Sequence, residues 1–361
     1  MTWSVSRLSS LQLNMFSRQF VSRTTQELQT ASQEVSSGRR ADIFKDLGSR
    51  AASTLRLRAN EEETQTYLKS NGLLTHKLDA MLTSVDAIRD RVESVMNLAM
   101  ANASRPSNGA STLQAEARAA LESVVAILNT TYQSDHLFSG TRSDQSPMTR
   151  WSEVNPASGL SPQGVMADIA AAVPADGASA QAMLDEIDLV FASADTASPA
   201  RNFEGTFYSG TPALDGAGQP ADRVVARISA GQEIEYGVQA NDLAFRETLK
   251  GLSLLATIDV STIEDEAAYT TWMNSAIGSL SRGQSGTLDI SARIGFHQKI
   301  IETEETRLTS LSLVHQMQIA ELENVDPYEA VTRMTNLENQ LRASYEVSAR
   351  LTNLSFLNHL R

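Results

Sequence analysis

The sequence predicts a mainly α protein with an inserted β-containing domain, an α+β arrangement. Long antiparallel helices from both chain ends form a coiled-coil-like bundle. Three observations predict it. Apolar residues recur at steps of three and four in both flanks, which is the spacing of one helix face. Turn-formers crowd the middle: residues 141–240 hold nine of the nineteen Gly and seven of the nine Pro. Proline inside a helix removes a hydrogen bond and clashes with the preceding turn, so the flanks can be long helices and the middle cannot. Charge changes at the same places. The first sixty residues carry nine Lys/Arg against four Asp/Glu, whereas 141–240 carry thirteen Asp/Glu against five Arg.

The first stripe runs through Leu13, Phe16, Phe20, Thr24, Leu28, Ala31 and Val35, and Ser36-Ser37-Gly38 interrupts it. The second is more regular. Leu74, Leu78, Met81, Val85, Ile88, Val92, Val95 and Ala99 alternate steps of four and three, a heptad seam that favours left-handed helix packing. Ser104 to Gly109 reads as a turn, and Leu113, Ala117, Leu121, Val124 and Leu128 mark a third helix. In the insert, Val224 to Ile228 and Ile234 to Val238 alternate on either side of Gly231 and predict a hairpin; Phe203 to Ser209 reads as a third strand. Residues 242–257 and 264–281 read as helices.

The C-terminal flank mirrors the N-terminal one. Ile290, Ile294, His297, Ile301, Glu304, Leu308, Leu311, His315, Gln318, Leu322 and Val325 keep the four-three step. Asp326 is placed to cap a last helix, with Pro327 at its first position and Glu329 at its third. That helix carries Val331, Met334, Leu337, Leu341, Leu351, Leu354 and Leu357. The apolar stripes continue outward through Trp3, Val5, Leu8 and Leu11 at one end and Phe356 and Leu360 at the other. Chain ends ordinarily fray, so apolar residues kept there point to burial against each other or against a neighbouring subunit. The ends are then expected to order only on assembly, where ordering coincides with binding.

Composition excludes several classes. A net charge of −13 disfavours general nucleic-acid binding. With no Cys there is no disulfide, thiolate metal site or cysteine nucleophile. No run of 18 apolar residues is present, so no helix is expected to insert in a membrane. Met1 to Phe20 lacks the apolar core of a cleaved secretory signal peptide.

No catalytic constellation stands out, and no cofactor-binding or metal-binding residues are assigned. His297 and His315 lie about 27 Å apart on one predicted helix, too far to share a metal, and His76, His136 and His359 are scattered. Glu61-Glu62-Glu63 reads as a solvated face, Glu302, Glu304 and Glu305 as ordinary helix charge, and Gly216 and Gly218 before Pro220 as a loop. Arg39 and Arg40 beside Gly38 suit a polar helix junction better than an anion site. The residues singled out are therefore structural. An assembly set comprises Leu13, Phe16, Phe20, Leu28, Leu337, Leu341, Leu351, Leu354 and Leu357. A bundle seam comprises Leu78, Met81, Val85, Ile88, Val92, Ile294, Ile301, Leu308 and Leu311.

These motifs resemble those of the flagellin superfamily. Val35-Ser36-Ser37-Gly38-Arg39-Arg40 is similar to its Ser-Ser-Gly-basic junction, and Ile88 to Val92 through Ala101-Asn102-Ala103 to its long helix and Asn-rich turn. Asp326-Pro327-Tyr328-Glu329-Ala330, with Gln340, Tyr345 and the Leu-rich end, is similar to its C-terminal signature. Within the superfamily, Leu137-Phe138-Ser139-Gly140-Thr141-Arg142-Ser143-Asp144, Tyr208-Ser209-Gly210 and Gly237 to Asn241 with Phe245-Arg246 resemble the hook-associated branch of the hook–filament junction. Ala41-Asp42-Ile43-Phe44-Lys45-Asp46 departs from the Ile-Asn run of filament flagellins.

The resemblance implies a terminal helix pair from 1–45 and 326–361, a helical bundle from 46–140 and 241–325, and an outer β-containing insert at 141–240; the Gly and Pro content, acidity and position of that insert point to a separate, removable folding unit. It also implies a non-enzymatic structural component of the bacterial flagellum. Such a protein is exported unfolded by the flagellar type III route and works outside the cell. The implied partners are copies of itself in a ring, a neighbouring hook-associated junction protein, flagellin, and an export chaperone near the C-terminal helix. A filament-forming flagellin is the alternative, and a helical ligand-sensing or signalling module a more distant one.

Overall fold

The computed structural model describes residues 10–104 and 110–357, with side chains over 15–104 and 112–350. Trp3, Val5, Leu8, Leu360, His359 and most of the 104–109 turn lie outside the described residues. Leu11, Leu13, Leu351, Leu354, Phe356 and Leu357 fall on helical backbone, but their side chains lie outside as well.

Helices dominate both flanks. α1 spans Ser10–Ser37, α2 Ile43–Leu47, α3 Ala51–Ala101 and α4 Ala110–Leu128. A small hairpin, β1 Thr131–Tyr132 and β2 Asp135–His136, follows. The middle holds α5 Pro162–Ile169, α6 Gly177–Phe191, α7 Phe203–Thr206 and a second hairpin, β3 Val225–Ser229 with β4 Gln232–Glu235. The chain returns through α8 Leu243–Thr257, α9 Glu266–Glu323 and α10 Pro327–Leu357. It divides into two compact units, one from residues 1–66 and 308–361 and one from 67–307. Among the described residues, no helix is long and apolar enough to cross a membrane.

The 67–307 unit is built on the heptad seam. Every seam residue of α3 from Leu74 to Ala99 is buried, as are Leu113, Ala117, Leu121, Val124 and Leu128 of α4 and Ile294 and Ile301 of α9. The core is continuous from these helices into the insert, through Met148, Trp151, Met166, Leu184, Phe203 and Phe245. The insert therefore shares its core with the flanking helices. Arg246 donates to Phe191 O at 3.1 Å, Lys250 Nζ to Asp188 at 2.9 Å and Asn71 Nδ2 to Ile228 O at 3.0 Å, which ties helices to insert.

Three local features differ from the sequence reading. Phe203 to Ser209 is not a strand: Phe203–Thr206 forms one helical turn, with Thr206 N and Phe207 N bonding to Asn202 O and Phe203 O. Phe203 and Phe207 are four apart, the helical spacing, and stack at 5.5 Å between centroids. The helix predicted at 264–281 and the stripe from Ile290 belong to one helix, α9. Gly283 and Gly286 do not break it. A Cβ at Gly283 would lie 2.3 Å from Thr248 Oγ1, and one at Gly286 2.7 Å from Ala244 Cβ, so both glycines permit close approach of α8. The buried stripe of α9 also shifts at one position. Leu308 and His315 are buried as predicted, but Leu311 is only half-buried and Ser312 takes the inner position. A helix of 3.6 residues per turn drifts steadily against a strict heptad.

Candidate functional site

The 1–66/308–361 unit is assembled from the two chain flanks. α1 ends where Gly38 adopts a φ of +69° and its N–H bonds to Glu34 O at 2.8 Å, a left-handed terminus that suits glycine. The chain then pairs with the end of α9. Arg40 N donates to Glu323 O at 2.8 Å and Val325 N to Gly38 O at 3.0 Å. Arg39 and Arg40 thus occupy a polar helix junction, as the sequence suggested. α10 begins as expected, with Asp326 Oδ1 accepting from Tyr328 N at 2.8 Å and Pro327 in the first turn.

Two ion pairs fix this junction. Arg58 makes a forked contact to Glu323, at 2.6 and 2.7 Å. The Glu323 side chain is 2% exposed, and a carboxylate that deep needs a cation to offset desolvation. The hydrogen bond to Glu323 raises the Arg58 pKa further above its ordinary value. Glu34, buried on α1, has the Arg333 guanidinium of α10 at 3.2 Å and accepts from Ala41 N at 3.2 Å.

A third polar group joins α3 to α9. Glu61 Oε1 accepts from Ser312 Oγ at 2.6 Å, Gln316 Nε2 at 2.9 Å and Gln65 Nε2 at 3.0 Å, and His315 Nδ1 lies 3.7 Å from Oε2. Burial alone would raise the Glu61 pKa. The hydrogen bonds and His315 outweigh it, and the carboxyl sits below its ordinary value. The sequence reading of Glu61 as part of a solvated run was wrong for this residue; Glu62 and Glu63 are exposed. Its partners lie some 250 positions away, and no local signal marks them.

α1 and α10 pack against each other as an antiparallel pair, with Ser17 Oγ 2.7 Å from Ser348 Oγ. Each of these helices supplies one face of cover to the other within the single chain. Thr24, Ala31 and Glu34 of α1 and Ala330 and Leu337 of α10 are buried. Leu28 and Leu341 are half-buried. Phe16 and Phe20, in contrast, are 64% and 49% exposed, and Tyr345 and Val347 are exposed across from them. Phe16, Phe20, Ala343 and Val347 line an apolar groove of about 510 Å³ between the two helices. The assembly set is thus divided between residues that close the pair and residues turned outward. In the bundle seam, Leu78, Met81, Val85, Ile88, Val92, Ile294, Ile301 and Leu308 are buried.

In the 67–307 unit, the three motifs around Ser139, Ser209 and Gln239 converge into one knot. Ser139 O accepts from Thr211 N at 2.9 Å, Phe138 O from Ala240 N at 2.9 Å, and Thr211 Oγ1 from Thr141 N at 2.8 Å. Asn241 Nδ2 donates to Thr211 O at 3.2 Å and to Glu204 at 2.7 Å. The Phe138 and Phe245 rings meet edge to face at 5.8 Å. Burial, with a smaller push from Glu204 and Asp242, raises the Tyr208 hydroxyl well above its usual range. These groups are locked to one another, and the knot reads as structural.

The chain matches two family profiles. Residues 8–143 match the bacterial flagellin N-terminal helical region. Residues 275–360 match the bacterial flagellin C-terminal helical region. No curated protein matches the sequence. A solved structure from Vibrio parahaemolyticus, provisionally described as a flagellar hook-associated protein, has a TM-score of 0.55 and 12% identity. The match covers 77% of this chain and 99% of that one, and at this identity it is a likeness of fold. The two profile matches together span more than half of the sequence, and the chain belongs to the bacterial flagellin family.

Proposed function

We propose that this chain is a junction subunit of the hook-associated protein 3 type, joining the flagellar hook to the flagellin filament through its terminal helices. Family membership makes it a structural component of the bacterial flagellum, and members of the family self-assemble. One observation carries the assembly role: α1 and α10 pair in the single chain yet leave Phe16, Phe20, Tyr345 and Val347 exposed around an apolar groove. Exposed apolar surface of that kind marks an interaction face. The Leu137 to Asp144 motif and its knot support the junction role over plain filament flagellin. The fold shared with the Vibrio parahaemolyticus hook-associated structure agrees with it. In this reading the partners are a ring of like subunits, the adjacent hook-associated protein, flagellin, and an export chaperone that holds the C-terminal helix before secretion. In this reading the protein works outside the cell. Deleting the gene and imaging the cells tests the reading. Intact hooks without filaments, with flagellin shed into the medium, are expected; hooks bearing normal filaments would overturn the junction role.

A further inference from the structure

The 67–307 unit carries a cavity of about 510 Å³ beside the C-terminal half of α4. Glu122, Ala126 and Asn129 line it at steps of four and three, from one face of the helix and its end. Arg150 and Trp151 line it from the insert. This frame is held by the chain itself. Asn129 grips the backbone of Met148 twice: Nδ2 donates to Met148 O at 2.9 Å, and Oδ1 accepts from Met148 N at 2.8 Å. Thr149 N donates to Phe207 O at 2.9 Å, and Gln163 N to Trp151 O at 2.9 Å. The backbone is thus pinned on either side of Arg150, and such preorganisation lowers the cost of binding. The walls are of mixed chemistry. Val125 and Trp151 are buried and, with Ala126, make part of the lining apolar. Glu122 and Arg150 are exposed, and neither side chain makes an ion pair or hydrogen bond among the described residues. The Trp151 indole N–H is buried and meets no acceptor among them, which is costly for a donor shut off from water.

We propose that this cavity binds a small zwitterion with an apolar body. The Arg150 guanidinium takes the ligand carboxylate, for which its planar fork is suited. The Glu122 carboxylate takes the ammonium. Val125, Ala126 and Trp151 receive the apolar part. A carboxylate held at Arg150 also brings an acceptor to the neighbouring indole N–H. Two free charges of opposite sign on one cavity select against simpler ligands. A lone anion would be attracted by Arg150 and repelled by Glu122, a lone cation the reverse, and an apolar molecule would leave both charges unanswered. The volume falls within the range of small-molecule sites, about 300–1,000 Å³. A free α-amino acid with an apolar side chain and a short apolar peptide present the same two termini, and both have this chemistry. The site lies wholly in the 67–307 unit and is independent of the assembly role proposed above.

The test uses the full-length chain, with L-leucine and the dipeptide Leu-Leu as probes, followed by isothermal titration calorimetry. At least one probe should bind with a Kd of about 1 mM or tighter, and the tighter of the two tells a free amino acid from a peptide. Capped forms of that probe separate its charges. N-acetylation removes the ammonium and C-terminal amidation the carboxylate, and each should weaken binding at least about tenfold. Arg150→Gln and Glu122→Gln change exposed side chains, and circular dichroism melts check that both variants keep the native fold. Arg150→Gln should bind the probe and its amidated form equally. Glu122→Gln should bind the probe and its acetylated form equally. This crosswise loss of discrimination assigns each terminus to its residue, which a general weakening of the fold would not do. Tryptophan emission should change on binding in the native chain and stay constant in Trp151→Phe. No binding of either probe up to about 10 mM would overturn the site. So would capped forms that bind as well as the free probe, full discrimination in both variants, or an emission change that survives Trp151→Phe.

Discussion

Gly140 has a φ of +69°, and a Cβ placed on it would lie 2.7 Å from both Gln239 Nε2 and Thr211 Oγ1. Two penalties therefore meet at one residue: the left-handed backbone that L side chains resist, and overlap with the knot. Gly140→Ala should lower stability by about 2–4 kcal/mol. Gly38 has the same φ but open space around it, so Gly38→Ala should lose only the backbone part, about 1–2 kcal/mol. Urea unfolding measures both, and equal losses would mean that the knot is looser than its distances imply. Glu61 is a second informative residue. Its folded pKa is depressed, so its contribution is present above its unfolded value, about 4.3. That contribution is lost as pH falls through the lower folded value. Thermal melts between pH 6 and 3 should show the 1–66/308–361 unit weakening below about pH 4.3, and Glu61→Gln should flatten that decline. Parallel acid slopes for the two proteins would remove Glu61 from the account.

Among the helices, the α3 seam was the most legible feature of the sequence, because a period of seven needs no knowledge of the partner. Val92 is 1% exposed and Glu93 faces solvent. Val92→Asp should cost several kcal/mol, since it buries a carboxylate in an apolar seam. Glu93→Gln should stay within about 0.5 kcal/mol. Calorimetry on the two variants checks the register, and similar shifts would refute it. Elsewhere the reading failed where the deciding contact is distant in sequence. The sequence reading ended one helix at 281 and began the next stripe at Ile290, and only the close approach of Thr248 and Ala244 to Gly283 and Gly286 shows what these residues do within a single continuous helix. Phe203 and Phe207 fit a period of two as well as one of four, and the buried stack decides it. The shift from Leu311 to Ser312 places a polar side chain inside, which no hydrophobic stripe can announce.

The two compact units are held by different chemistry, and this governs how the whole molecule responds to damage. The core of the 67–307 unit runs from Leu74 to Ile301 and is mainly apolar, with the hydrogen-bonded knot of Ser139, Thr211 and Asn241 set into it. The 1–66/308–361 unit relies on Arg58–Glu323, Glu34–Arg333 and the Glu61 group, with few large buried side chains. The sequence showed that Phe16 and Phe20 are apolar but not that they stay uncovered, because exposure depends on what packs beside them. Removing residues 327–361 takes α10 away, including Arg333, Ala330 and Leu337. Glu34 then loses its cation, and α1, a 28-residue helix, loses its cover. An isolated helix is marginal in water, so the helical signal should fall by more than the 31 residues of α10 itself. Every core residue of the 67–307 unit remains, so its melting transition should be unchanged. The truncated chain should also fail to join an assembly, because one wall of the Phe16–Phe20 groove is gone. Circular dichroism melts and sedimentation of native and truncated chains separate these effects. An α1 that keeps its helix would show that it folds without α10, and a parallel drop in the core transition would show that the two units unfold as one.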